Sequence, residues 1–164
     1  MSNYSSTLSS RQISRLSVQE AATRGGNTKF NVKYTDLANA NATGNADTVT
    51  IKLGDTPAIW RIDNVFVDCV TALVGGNAAM TIGVGTGTNA TAILAATATP
   101  LAAIGPFVAQ AYGVNNYANC FASATTSLKL VITQLGAAGV ISSITAGELN
   151  IYVDIIDEAV QRSP

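Results

Sequence analysis

Histidine is absent from this chain, which removes most of the nucleophilic and metal chemistry a sequence can carry. Ser-His-Asp and Cys-His arrangements need an imidazole to move the proton, and most protein zinc sites need one as a ligand. The two cysteines, Cys69 and Cys120, are too few for a four-thiolate site. They stand 51 positions apart in a chain whose first residues, MSNYSSTLSS, lack an apolar leader, and they read as small buried hydrophobes kept reduced.

The carboxylates give no stronger signal. Asp63 and Asp68 share one strand-like run, and Asp154, Asp157 and Glu158 gather near the end of the chain. Neither group has the D-x-D-x-D-G spacing of a calcium loop. A separation of five places Asp63 and Asp68 on opposite faces of a regular strand, so a shared site there needs a bulge. They are expected as solvated or interface carboxylates.

Gly85-Thr-Gly87-Thr-Asn89-Ala90 fits G-x-G-x-x-A, the pattern that cradles a dinucleotide pyrophosphate at a helix N-terminus. That fingerprint also needs an acid about 20 residues on to hold the ribose. No Asp or Glu lies between Asp68 and Glu148, so a glycine loop between strands is the better reading. No catalytic residue, metal or cofactor is expected, and the chain reads as non-enzymatic.

The remaining candidates are the arginines of a basic N-terminal segment, Arg11, Arg15 and Arg24. Residues 1–33 hold five bases against one acid, a net of +4, while the rest holds four bases against nine acids, a net of −5. Flexible basic arms can neutralise phosphates, but no interleaved aromatics supply a stacking platform. The expected role is docking on an acidic or polar neighbour rather than on nucleic acid.

These residues must be positioned by strands. Residues 1–28 are rich in Ser, Thr, Asn and Gly and are expected as a flexible arm, with one brief helix from Arg11 to Ala22 presenting Ile13, Leu16 and Glu20. Arg24-Gly25-Gly26-Asn27 is a hinge signal. Residues 29–164 then form a single domain. Phe30, Val32 and Tyr34 alternate with Asn31 and Lys33, and Val49, Ile51 and Leu53 alternate with Thr48, Thr50 and Lys52. Ala58–Val70 predicts a long central strand, bent near Asp63-Asn64, with Trp60, Ile62 and Phe66 on one face and Ile59, Val65 and Val67 on the other.

Gly75-Gly76-Asn77 predicts a hairpin into Met80, Ile82 and Val84. Leu128, Leu130 and Ile132, then Leu149, Ile151, Val153 and Ile155, define two further strands joined through Gly136–Gly147. Asn89–Ala98 fits either a short helix or a strand. Six or more strands with glycine turns and no long helix predict a mainly β fold, an antiparallel β-sandwich of jelly-roll type with an extended N-terminal arm. The expected core includes Ile62, Phe66, Ile82, Leu130, Ile151 and Val153.

Charge distribution points outward from the fold. The composition is 48% hydrophobic and 12% charged, against about 25% charged in ordinary soluble domains. Over the 79 residues from Cys69 to Gly147 the single charge is Lys129. Interfaces are depleted in charge, so this half of the chain is expected against neighbouring subunits. No apolar run reaches the 18 or so residues of a membrane-spanning helix, and no membrane partner is expected.

Pro57-Ala-Ile-Trp-Arg-Ile-Asp-Asn-Val-Phe-Val-Asp68, then Gly75-Gly76, Thr81-Ile-Gly-Val-Gly85 and Thr145-Ala-Gly-Glu-Leu-Asn-Ile-Tyr-Val-Asp154, resemble in style and spacing the small virion structural proteins of tailed bacteriophages, particularly capsid decoration or cement proteins. The resemblance spans roughly residues 57–156 and implies a β-sandwich body, commonly trimeric, over joints between major capsid protein subunits. It further implies assembly in the host cytoplasm and a place on the capsid exterior. A tail, fibre or host-surface-binding subunit is the alternative from the same features. No binding residue carries over by motif.

Overall fold

Alternation of apolar and polar residues gives most of the described residues a strand face to bury, and eleven strands form among them. The computed structural model describes residues 4–7, 13–17, 19, 26–40, 48–75, 80–87, 89–99, 105–107, 121–122, 124–134 and 141–158. The strands are β1 (Tyr4–Thr7), β2 (Ile13–Arg15), β3 (Thr28–Lys33), β4 (Thr48–Asp55), β5 (Trp60–Val74), β6 (Met80–Thr86), β7 (Asn89–Thr99), β8 (Gly105–Phe107), β9 (Phe121–Ala122), β10 (Ser127–Gln134) and β11 (Ala146–Asp157). Among the described residues a helix, α1 (Tyr34–Ala40), follows β3, and a 3-10 turn spans Ile141–Ser143.

The protein is mainly β. One sheet runs β1-β4-β10-β6-β7 and the other β2-β3-β11-β5-β8, with β9 also on β5. Pairing is antiparallel throughout except that β1 runs parallel to β4. Four of the pairs are nested in sequence: β3 with β11, β4 with β10, β5 with β8 and β6 with β7. Those are the pairs of one long antiparallel hairpin. The pairs β5·β11 and β6·β10 close that hairpin sideways into two sheets.

Both sheets turn one face into a single core. Val49, Ile51 and Leu53 of β4, Ile82 and Val84 of β6, and Leu130 and Ile132 of β10 meet Phe30 and Val32 of β3, Ile62 of β5, and Leu149, Ile151 and Val153 of β11. Each fully buried aliphatic side chain contributes about 1.5–3 kcal/mol over its exposed state, so the strand alternation carries the stability. The expected burial of Ile62, Ile82, Leu130, Ile151 and Val153 is observed. Trp60 is also buried, and its indole N–H donates to the Ala124 carbonyl at 3.0 Å, satisfying the one polar atom it takes inside.

Phe66 departs from expectation. Ile155 pairs with Ile62 and Asp154 with Asn64, leaving Asp63 as an extra residue on β5. This bulge lies where the sequence predicts a bend, and it reverses the alternation beyond it. Trp60 and Ile62 point inward, and so do Val65, Val67 and Cys69, while Phe66 turns to the opposite face. There its ring centroid lies 6.0 Å from that of Tyr152, its register partner on β11.

Other expectations are also revised. β5 and β6 are not the hairpin expected through Gly75-Gly76-Asn77, of which residues 76 and 77 lie outside the described residues: β5 pairs with β11 in one sheet, and β6 pairs with β10 and β7 in the other. At Asn89–Ala98, where the sequence fits either a short helix or a strand, the strand forms as β7. Tyr34 does not extend β3 but opens α1 and is exposed; the Lys33 backbone N–H donates to the Asp36 carboxylate at 2.8 Å, a helix-start contact. Leu37 drops from α1 into the core. The helix expected across Arg11–Ala22 is replaced at 13–15 by strand, where β-branched Ile13 packs partly buried against the core. Among the described residues no helix is long and apolar enough to cross a membrane.

Ile62→Ala should therefore cost about 2–5 kcal/mol in urea unfolding, and Phe66→Ala distinctly less. Equal losses would mean that the Asp63 bulge does not set the facing of β5.

Candidate interaction surface

Asn27 joins the basic N-terminal segment to the body. Its side-chain amide acts as an extra rung on the β3·β11 ladder, whose backbone register ends at Thr28 opposite Val153. The Asn27 Nδ2 donates to the Ile155 carbonyl at 2.7 Å, and the Ile155 N–H donates to Asn27 Oδ1 at 3.1 Å. Thr28 Oγ1 donates to the same oxygen at 2.8 Å, and Arg15 Nη1 approaches it at 3.5 Å. Gly26, just before, lies so close to β11 that an added Cβ would sit 2.8 Å from the Val153 nitrogen. A glycine and an amide are thus required in that order. The Gly-Gly-Asn hinge signal marks the place, and its last two residues are pinned to β11.

From this root β2 lies back along β3, with Ile13 opposite Phe30 and Arg15 opposite Thr28. The Leu16 N–H donates to the Asn27 carbonyl at 2.9 Å and closes the base of the connection. Between β2, β3 and the adjoining ends of β4, β10 and β11 opens a cleft of about 150 Å³. Its wall includes Ile13, Phe30, Pro57, Leu128 and Ile155, with Arg15 and Asp55 as its charged residues. Arg15 is exposed. Asp55 is engaged elsewhere: Lys52 Nζ donates to it at 2.8 Å and Ser127 Oγ at 3.1 Å. The Lys52 hydrogen bond holds its carboxyl below the usual range. Of the three arginines expected to interact, Arg15 borders this cleft, while Arg11 and Arg24 lie outside the described residues.

A second polar group sits at the β5 bulge. Arg61 grips Asp63 with Nε at 2.6 Å and Nη2 at 3.1 Å from its two oxygens, and places Nη1 2.9 Å from Glu158 Oε1. Burial, and then the negative charge of Asp63, push the Asp154 carboxyl above its usual range. The bulge also puts Asp63 and Asp68 on one face, contrary to the regular-strand expectation. Asp154, opposite the Asp63-Asn64 bulge, and Asn150, the partner of Asp68, are four residues apart on β11, about 13 Å along a strand, so the two carboxylates still share no site. Among the described residues no cluster of His, Cys, Asp and Glu has the arrangement of a metal site.

Further along the same face Asn31 Nδ2 donates to Glu148 Oε1 at 2.6 Å and to Asn150 Oδ1 at 2.9 Å. Asn150 and Tyr152 are 6% and 4% exposed, so β11 is buried on both faces at its middle. Exposed apolar side chains occur instead at the far end of β5, where Val70 is 39% and Val74 54% exposed. Sequence reading passed over these valines because a β-branched residue in a strand reads as core. The Gly85–Ala90 fingerprint is a hairpin turn: Gly87 has φ of +57° and Thr86 pairs with Asn89, so strand rather than helix follows. Cys69 is buried, and desolvation followed by the Asp68 charge raises its thiol pKa; Cys120 lies outside the described residues.

No family model, curated protein or solved structure matches this chain.

Two measurements test this geometry. Asn27→Ala leaves the Ile155 N–H and carbonyl without their partner and should cost about 1–3 kcal/mol, with faster proteolysis before residue 26. Asp154 has a folded pKa above its unfolded one, so its contribution is favourable at acid pH and is lost as pH rises through the folded value. Asp154→Asn should therefore raise the melting temperature relative to the parent at pH 7, and the gain should vanish below about pH 4. A gain that grew on acidification would contradict this sign.

Proposed function

We propose that this chain is a structural subunit of a bacteriophage particle, a capsid decoration or cement protein that binds the outside of the major capsid shell and stabilises it. The carrying observation is the run from Cys69 to Gly147 with one charge in 79 residues. Even that charge is turned to its own chain, since Lys129 Nζ donates to the Gly87 carbonyl at 2.5 Å. Apolar and neutral surface gains about 25 cal/mol per Å² on burial, whereas exposed ion pairs add little. Attachment through such contacts tolerates salt.

The body is read as a β-sandwich of jelly-roll type. The nested pairs β3·β11, β4·β10, β5·β8 and β6·β7, rolled up through β5·β11 and β6·β10, support that reading. The protein is read as a homo-oligomer, a trimer, with residues 1–28 as its arm and the exposed Val70 and Val74 available for subunit contacts. It is a binding protein and not a catalyst, in keeping with a chain that has no histidine. The host-surface alternative has less support, because the single Trp is buried and cannot stack on a sugar ring.

Stripped and redecorated shells should differ under heating or osmotic shock, with decorated shells surviving longer, and deletion of residues 1–28 should weaken attachment without unfolding the body. If stripped shells survive equally well and adsorption to host cells fails instead, the host-recognition reading replaces this one. Light scattering should read a trimer.

A further inference from the structure

The cleft beside Arg15 owes its space to a residue without a side chain. On the ladder between β4 and β10, Leu128 pairs with Gly54 and Lys129 with Lys52, so Leu53 is an extra residue on β4. After buried Leu53, regular alternation would turn position 54 away from the core. The slip turns it back, because residues directly opposite across a ladder share a face and Leu128 is buried. A Cβ added at Gly54 would lie 3.6 Å from Phe30 Cε1 and 3.9 Å from Ile13 Cδ1, ordinary contact with two residues of the cleft wall. The φ of Gly54 is not positive. Neither crowding nor backbone angle therefore demands glycine here, and glycine inside a strand weakens it. Its effect is to keep the cleft open.

We propose that this cleft binds a small carboxylate that carries one ring-sized apolar group. A volume of about 150 Å³ matches the space in which an apolar protein cavity holds a single benzene ring. Ile13, Phe30, Pro57, Leu128 and Ile155 give that ring an apolar wall. Charge selects the other half of the ligand. Arg15 is exposed at the border and makes no ion pair among the described residues. Its approach to Asn27 Oδ1 at 3.5 Å is longer than those of Thr28 Oγ1 at 2.8 Å and the Ile155 N–H at 3.1 Å, so the guanidinium can turn to a ligand without orphaning that oxygen. Asp55, the other charged residue of the wall, is already held by Lys52 and Ser127. A guanidinium receives a carboxylate through two parallel N–H donors, which fixes the head of the ligand while its ring fills the space that Gly54 leaves. The site stands independently of the decoration reading, and neither needs the other.

The probes are phenylacetate, its neutral amide phenylacetamide, and acetate, each titrated into the full-length, isotope-labelled protein at neutral pH and followed by amide NMR shifts. Phenylacetate should saturate a single site with a Kd of about 1 mM or below, the range open to so small a ligand, and should move the amides of Phe30, Gly54 and Leu128. Phenylacetamide and acetate should each bind about tenfold more weakly, one lacking the charge and the other the ring. Arg15→Gln should remove the preference for phenylacetate over phenylacetamide. Gly54→Val should abolish binding while leaving the urea midpoint at or above that of the parent, since it fills the cleft with a side chain suited to a strand. If that variant does not fold, Gly54→Ala, whose added methyl meets only ordinary contacts, should still weaken binding measurably. The proposal is overturned if phenylacetate produces no saturable shifts or moves only amides away from the cleft. It is equally overturned if phenylacetamide binds as tightly, or if Arg15→Gln or the folded glycine variant binds as the parent does.

Discussion

Antiparallel pairing of β5 with β11 sets the geometry of the larger sheet, because those two strands are its longest and lie beside each other at its middle. Their inward residues supply much of one side of the core, and β11 is buried on both faces where Asn150 and Tyr152 sit. A strand dehydrated on both sides must satisfy its backbone completely. β3 and β5 do this along most of β11, and the Asn27 amide does it at Ile155, beyond the end of the β3 ladder. The two polar groups described above both form at this end of the pair, where its register slips by one residue.

The slip brings charge with it. With two residues opposite one, Asp63 and Asn64 share Asp154, and the Asp63 charge adds to burial in raising the Asp154 carboxyl while Arg61 grips Asp63 and approaches Glu158. The arrangement closes the end of β11 against β5, also held by the Glu158 N–H donating to the Ile59 carbonyl at 3.0 Å. A structural role accounts for these carboxylates without chemistry.

Period-2 alternation made β4, β6, β10 and β11 legible directly, since Val49-Ile51-Leu53 and Leu149-Ile151-Val153-Ile155 leave no other way to bury one face. The bend at Asp63-Asn64 was legible too, but its effect on Phe66 was not, because a bulge changes facing without changing composition. Sheet assignment failed at Gly75-Gly76-Asn77 because a glycine pair marks a turn and not which strands flank it in space. Of the expected interaction residues, Arg15 was recognisable only as a charge in a basic segment. Its cleft is made by β2, β3, β4, β10 and β11 together, a long-range arrangement no local pattern encodes. Asn27 read as a hinge residue, since an amide that serves as a strand rung has the same letter as one in a turn.

The two-for-one stretch on β5 bears on which length changes this chain can accept. Between Trp60 and Cys69, loss of any residue from a regular part of the strand would exchange the inside and outside of everything on one side of it. Loss of Asp63 or Asn64 alone would not, for the remaining residue would stand opposite Asp154 and both halves would keep their faces. The bulge is thus the one position in that span where ancestral chains can have gained or shed a residue without rebuilding the core, and related sequences that differ in length within this strand should differ there.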